Sequence, residues 1–188
     1  MLQVDVPGRE LWDAKNEVFI NTKPVHLTLE HSLVSIAKWE STWERSFLKN
    51  GAQTKEQMED YIRCMTLTQN VDPGIYKTLP DSVFQQVSEY IQKPMTATYF
   101  PPDERQGGMR DVVTAELIYY WMIANNIPFD PCQKWHLNRL MALIRVCSLK
   151  NAEANADPKK RRRMSSAEIM RRNAKLNEER LKKYNTTG

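Results

Sequence analysis

The feature that most constrains the fold is an apolar stripe between residues 29 and 47. Leu29, Leu33, Ile36, Trp39, Trp43 and Phe47 recur at intervals of three and four. At 100° per residue they fall within an arc of about 120°, the width of a helix face that packs on a core. The spacing predicts a helix from about Glu30 to Lys49, stopped by Asn50-Gly51. A stripe that holds two tryptophans and a phenylalanine needs neighbours to cover it, so the rest of the chain is read for what those neighbours are.

Before the stripe the period changes from helical to alternating. Leu2–Val6, Glu17–Ile20 and Val25–Leu29 read as short strands punctuated by Pro7-Gly8, a small antiparallel sheet or meander that needs helices against it. After it come further helical stripes. Thr54-Lys-Glu-Gln57 has capping-box spacing and leads into Met58, Tyr61, Ile62 and Met65. Asp72-Pro-Gly74 is a turn, and Val83, Phe84, Val87, Tyr90 and Ile91 mark a helix closed by Pro94. Thr96–Phe100 reads as one more strand, and Pro101–Gly108 as an exposed loop. Asp111–Asn125 is apolar nearly all round, which predicts a central buried helix with Trp121 in the core. Asp130-Pro131 has the order of an N-cap and first helical residue, opening a helix to about Leu149.

The expected fold is therefore α+β, a small N-terminal antiparallel β-meander packed on a bundle of five main helices. With 188 residues, one such domain accounts for most of the chain. The charge distribution sets its limit. Lys150–Gly188 holds 12 Lys/Arg against 5 Asp/Glu, a balance of +7, and against the net +4 this leaves −3 on residues 1–149. The expected division is a globular domain at 1–149, a basic linker at 150–164 that begins with Asn151–Pro158, and a basic helical tail at 165–188. Ser165-Ser-Ala-Glu168 is a second capping box, and i,i+4 Glu-to-Lys/Arg pairs support the tail helix to about Lys183. Its apolar content is too thin to hold it down alone.

The chemistry-bearing motifs are few. The chain contains no GxxxxGK[ST], GxGxxG, GxSxG or HExxH pattern, so no catalytic residues are assigned and the expectation is a protein that is not an enzyme. Three cysteines, Cys64, Cys132 and Cys147, form no disulfide framework. Cys132 and His136 are four apart, but zinc needs three or four ligands and the other histidines, His26 and His31, lie about a hundred residues earlier. No metal and no cofactor is expected.

Two candidate interaction sites remain. Glu40 lies inside the apolar arc, between Trp39 and Trp43. Either it is a carboxylate at the rim of the core, bonded by an indole or backbone N–H, or it is the polar anchor of a partner-binding groove lined by those tryptophans. The second site is the basic arm, with Lys159, Lys160, Arg161, Arg162 and Arg163 in its linker and Arg171 and Arg172 in its helix. Phosphate neutralisation would let it bind nucleic acid, although base-stacking aromatics are missing apart from Tyr184. An acidic protein surface would suit the same charges. The longest apolar run, Leu117–Ala124, is too short to span a bilayer, and the N-terminus has no basic region leading into an apolar one, so no membrane partner and no secretory signal is expected.

Three segments carry a resemblance: Leu29-Glu-His-Ser-Leu-Val-Ser-Ile-Ala-Lys-Trp-Glu-Ser-Thr-Trp-Glu-Arg-Ser-Phe-Leu48, Pro128-Phe129 with Trp135-His-Leu-Asn-Arg-Leu140, and the close, with Arg171-Arg-Asn-Ala-Lys-Leu-Asn177 and Lys183-Tyr-Asn-Thr-Thr-Gly188. They resemble a family of uncharacterised tailed-bacteriophage morphogenesis proteins encoded near the tail genes. The resemblance implies a virion-assembly role in the host cytoplasm, as a tail assembly chaperone or accessory whose partners are other phage structural or tail proteins. It supplies no functional residues. Nucleic-acid binding through the basic arm is the alternative.

Overall fold

The computed structural model describes residues 1–100 and 112–155, with residues 170, 171, 173–175, 177 and 178 of the C-terminal arm. Its class is the expected α+β, with a small antiparallel sheet ahead of a mainly helical body. Strand β1 (Leu2–Val6) pairs antiparallel with β4 (Val25–Leu29), Val4 opposite Leu27 and Leu2 opposite Leu29. Alternation puts Val4, Val6, Leu27 and Leu29 on one buried face. The strands between them, β2 (Glu10–Asp13) and β3 (Val18–Asn21), form a separate hairpin.

The pairing is thus nested, β1 with β4 around β2 with β3, and not the sequential meander the sequence suggested. The reason lies where the hairpin leaves the sheet. Pro7 and Pro24 have no N–H to extend the ladder, and Gly8 passes directly against the returning strand. A Cβ on Gly8 would stand 2.6 Å from the Thr22 carbonyl oxygen and 2.9 Å from Pro24 Cδ, so glycine alone fits.

Helix α1 (Leu33–Trp43) begins at a capping box in which the Ser32 hydroxyl accepts from the Ser35 N–H and the Ser35 hydroxyl accepts from the Ser32 N–H. The single helix expected from Glu30 to Lys49 is two. Glu44 turns left-handed at φ 50°, and Ser46 caps a one-turn helix, α2 (Phe47–Asn50). Phe47 still enters the core, by way of the break. Helix α3 (Lys55–Met65) starts at Thr54 as its spacing indicated, and Asp72 caps the 3-10 segment Pro73–Thr78. Helix α4 (Asp81–Gln92) ends as expected before Pro94.

Residues 96–100 are not a strand. Met95 has a positive φ, and the Thr98 N–H donates to the Thr96 hydroxyl, a local turn that takes the place of a ladder bond. The expected loop Pro101–Gly108 lies outside the described residues. Helix α5 (Ala115–Ala124) buries Ala115, Ile118 and Met122, while Tyr120 and Ile123 are 61% and 62% exposed and Trp121 is half-buried. The expectation of a helix buried all round is corrected here. The helix packs on α1, Tyr119 lies against Phe129, and the side that carries Tyr120 and Ile123 is left open.

The helix expected from Asp130 starts later. Phe129–Cys132 is a single turn, α6, within which Asp130 has an extended ψ, and α7 runs over Leu137–Asn155. Between them the backbone pairs with the end of β4: His136 bridges Ser32, and the Leu137 N–H donates to the His31 carbonyl at 2.7 Å. These tertiary bonds take the residues that capping logic assigned to a first helical turn. At its other end α7 continues through 150–155, where a linker was expected. Asn151-Ala-Glu-Ala-Asn155 has no Gly or Pro to stop it, and Lys150 pairs with Glu153 at 2.9 Å.

By its contacts the chain divides into two compact units, Met1–Leu149 and Lys150–Gly188. In the second, the described residues between 170 and 178 are helical and exposed. Among the described residues no helix is long and apolar enough to cross a membrane.

Candidate functional site

Two polar constructions sit inside the body. One is built on Glu40, in the last turns of α1. Its Oε1 accepts the Phe47 N–H at 2.8 Å and its Oε2 accepts the Ala115 N–H at 2.7 Å. Both donors are first-turn amides, of α2 and α5, that no intrahelical carbonyl can satisfy. One carboxylate therefore caps two helices at once and ties α1 to both. The Ser46 hydroxyl completes the joint by donating to the Val113 carbonyl at 2.6 Å.

The flanking tryptophans are spoken for as well. Trp39 is fully buried and donates its indole N–H to the Gln57 carbonyl at 3.0 Å; Trp43 donates to Asp60 Oδ2 at 2.9 Å. Their rings stack at 6.1 Å. The structure does bring Trp39, Glu40 and Trp43 together, with Trp39 and Glu40 buried and Trp43 half-buried. The carboxylate bonded by backbone N–H groups is the arrangement found. Of the arm residues, Arg171 is exposed on a helical stretch, whereas Lys159, Lys160, Arg161, Arg162, Arg163 and Arg172 lie outside the described residues.

The second construction joins Glu30-His31-Ser32, at the exit of β4, to Trp135-His136, at the entry of α7. His31 and His136 are both buried, with ring centroids 5.1 Å apart. The Asn138 N–H donates to His136 Nδ1, which therefore carries no proton, and Nε2–H donates to the Tyr90 carbonyl at 3.1 Å. That fixes a neutral tautomer, and burial holds the His136 pKa below its ordinary value. His31 is hydrogen-bonded to the Tyr61 hydroxyl, and burial, helped by the neighbouring His136, pushes its pKa down to about 3. The Tyr90 hydroxyl donates to Glu30 Oε1 at 2.8 Å, and burial, then Glu30, raise its pKa.

With both its ring nitrogens engaged, His136 offers no lone pair to a metal beside Cys132. Among the described residues no group of three or more metal-ligating side chains converges. Burial also pushes the Cys64 thiol up to about 11, which keeps it a thiol and a poor nucleophile.

Over this second construction opens a cleft of about 560 Å³. Glu30 and His136 lie in it, apolar side chains such as Met65, Leu67 and Trp135 line it, and three cations, Lys38, Lys134 and Arg139, stand at it. Arg139 lies over the Trp135 ring at 4.2 Å. Sequence reasoning passed over these cations because they come from α1, the α6–α7 turn and α7, with no shared spacing. The one local signal was the polar pair Glu30-His31, placed where a strand gives way to a capping box.

No family model, curated protein or solved structure matches the chain.

Proposed function

We propose that the chain is a non-catalytic morphogenesis protein of a tailed bacteriophage, a tail assembly chaperone or accessory that binds another tail protein in the host cytoplasm. The observation that carries this reading, beside the sequence resemblance, is the outer face of α5. Tyr120 and Ile123 are neighbours at i,i+3, one turn on from Glu116, and both are more than half exposed. Exposed aromatic and aliphatic side chains grouped on a rigid element are what protein interfaces are made of. Trp12 and Phe19 repeat the pattern on the β2–β3 hairpin, exposed and 4.8 Å apart. The buried groups Glu40, Glu30 and His136 are engaged in the fold: Glu40 caps two helices, and His136 and Glu30 bind Tyr90.

Affinity purification from phage-producing cells, with mass spectrometry, tests the proposal. A tail protein recovered in near-stoichiometric amount supports it. The nucleic-acid alternative is favoured by the +7 on residues 150–188. It would be recognised by recovery of nucleic acid alone, with an affinity that falls log-linearly with salt.

A further inference from the structure

The cleft beside His136 is more specific than an apolar surface, because its charge is one-sided. Lys38, Lys134 and Arg139 line it, and Glu30 is the only carboxylate that does so among the described residues. Both Glu30 oxygens are occupied, one by the Tyr90 hydroxyl and the other by the Met1 ammonium at 3.1 Å. The three cations are exposed. Arg139 rests on the Trp135 ring, and Lys134 meets Asp130 at 2.6 Å in a pair about two-thirds exposed on both sides, which solvent leaves weak. These positive charges gather on a body whose sequence balance is −3.

Between the cations the walls are apolar. Leu67 and Met95 remain exposed at the cleft, and Val34, Met65 and Trp135 lie along it. Methionine, tryptophan and arginine are side chains that interfaces concentrate, methionine because its thioether adapts to varied partners. The volume accommodates a few side chains, which suits a chain segment better than a nucleic-acid backbone, whose phosphates would gain nothing from aliphatic walls.

We propose that this cleft receives an extended segment of the partner protein in which acidic side chains alternate with aliphatic ones. The carboxylates meet Lys38, Lys134 and Arg139, and the aliphatic groups enter between Leu67, Met95 and Trp135. This names the chemistry of the partner; that its owner is a tail protein rests on the assembly reading above.

The test uses the full chain and a short fluorescein-labelled peptide of leucines interspersed among glutamates, followed by anisotropy. Saturable binding is expected, weakened about thirtyfold or more by Lys38→Glu/Lys134→Glu/Arg139→Glu, three exposed positions. A matched peptide of leucines and lysines should not bind, and one of serines and glutamates should bind distinctly more weakly. A second variant, Leu67→Ser/Met95→Ser, should weaken the leucine–glutamate peptide with the cations intact, and it decides the matter if the charge-reversed chain fails to fold. Unchanged affinity in the folded variants, equal binding of either control peptide, displacement by an oligonucleotide of equal charge, or no saturable binding would overturn the assignment. Recovery of the tail partner by the charge-reversed chain would sink the cleft and leave the assembly reading standing. Failure of the wild type to recover a tail protein, with peptide binding intact, would do the reverse.

Discussion

Replacing Glu40 removes the side chain that caps both α2 and α5 from α1. Its two oxygens each accept one backbone N–H, at 2.8 and 2.7 Å, and the residue is 7% exposed. Hydrogen bonds to a charged group contribute about 1.5–3 kcal/mol each, and a buried donor left without a partner loses about 1–3 kcal/mol. The two bonds are not independent, since both hang on one carboxylate, so the effects do not simply add. Glu40→Ala should therefore destabilise by about 3–5 kcal/mol, a large share of the stability of an ordinary domain. Glu40→Gln is the sharper test. It keeps the shape and one acceptor but turns an NH2 toward the Phe47 or the Ala115 N–H, donor against donor, and should cost about 2–3 kcal/mol. Urea unfolding followed by tryptophan fluorescence measures both, with Trp39 and Trp43 on the same helix as reporters. A loss below about 0.5 kcal/mol for Glu40→Gln would refute the double-cap argument, since a surface substitution does no more than that.

Three further outcomes follow from the same structure. Acidification should destabilise the fold: His31 has a native pKa of about 3 against an ordinary 6.5, so the unfolded chain binds the extra proton between these values and stability is lost as pH falls below 6.5. The loss from His31 alone should reach about 2 kcal/mol at pH 5, read by urea midpoints across pH, and a flat profile between pH 7 and 5 would contradict it. Gly8→Ala should destabilise by about 1–3 kcal/mol, because its Cβ meets backbone and a proline ring that cannot yield, and thermal unfolding checks it. Tyr120→Ser/Ile123→Ser should leave the urea midpoint nearly unchanged, since both side chains are exposed, yet reduce capture of the partner in the purification described above.

What the sequence made legible was periodic and local. The α1 stripe from Leu33 to Trp43, the cap at Thr54, and the strands Leu2–Val6 and Val25–Leu29 all depend on near neighbours, and all are found where the pattern put them. Long-range bonds decided the rest. Nothing near Glu44 announces a helix break, because the break is held by Glu40 reaching Phe47 and by Ser46 reaching Val113, 67 positions away. Asp130-Pro131 carries a correct helix-start signal that loses to the pairing of His136 with Ser32. The all-round apolar character of α5 misled for a related reason: composition shows that a helix can be buried, but not how many sides its neighbours cover. The same limit hid the cleft, whose Lys38 lies about a hundred residues before Lys134 and Arg139. Glu40 is the intermediate case. Its place inside the apolar arc marked it as unusual, while the choice between a cap and an interface anchor needed the positions of two distant amides.

Binding of an assembly partner is the central claim, and the most direct measurement is the solubility of that partner. The tail protein identified by purification would be expressed alone, with the wild-type chain, and with Tyr120→Ser/Ile123→Ser, and its soluble fraction compared. The account predicts that the wild-type chain keeps the partner soluble in a defined complex and that the double variant, folded to the same urea midpoint, does not. Equal rescue by the folded variant, or a partner equally soluble with and without the wild-type chain, would contradict it.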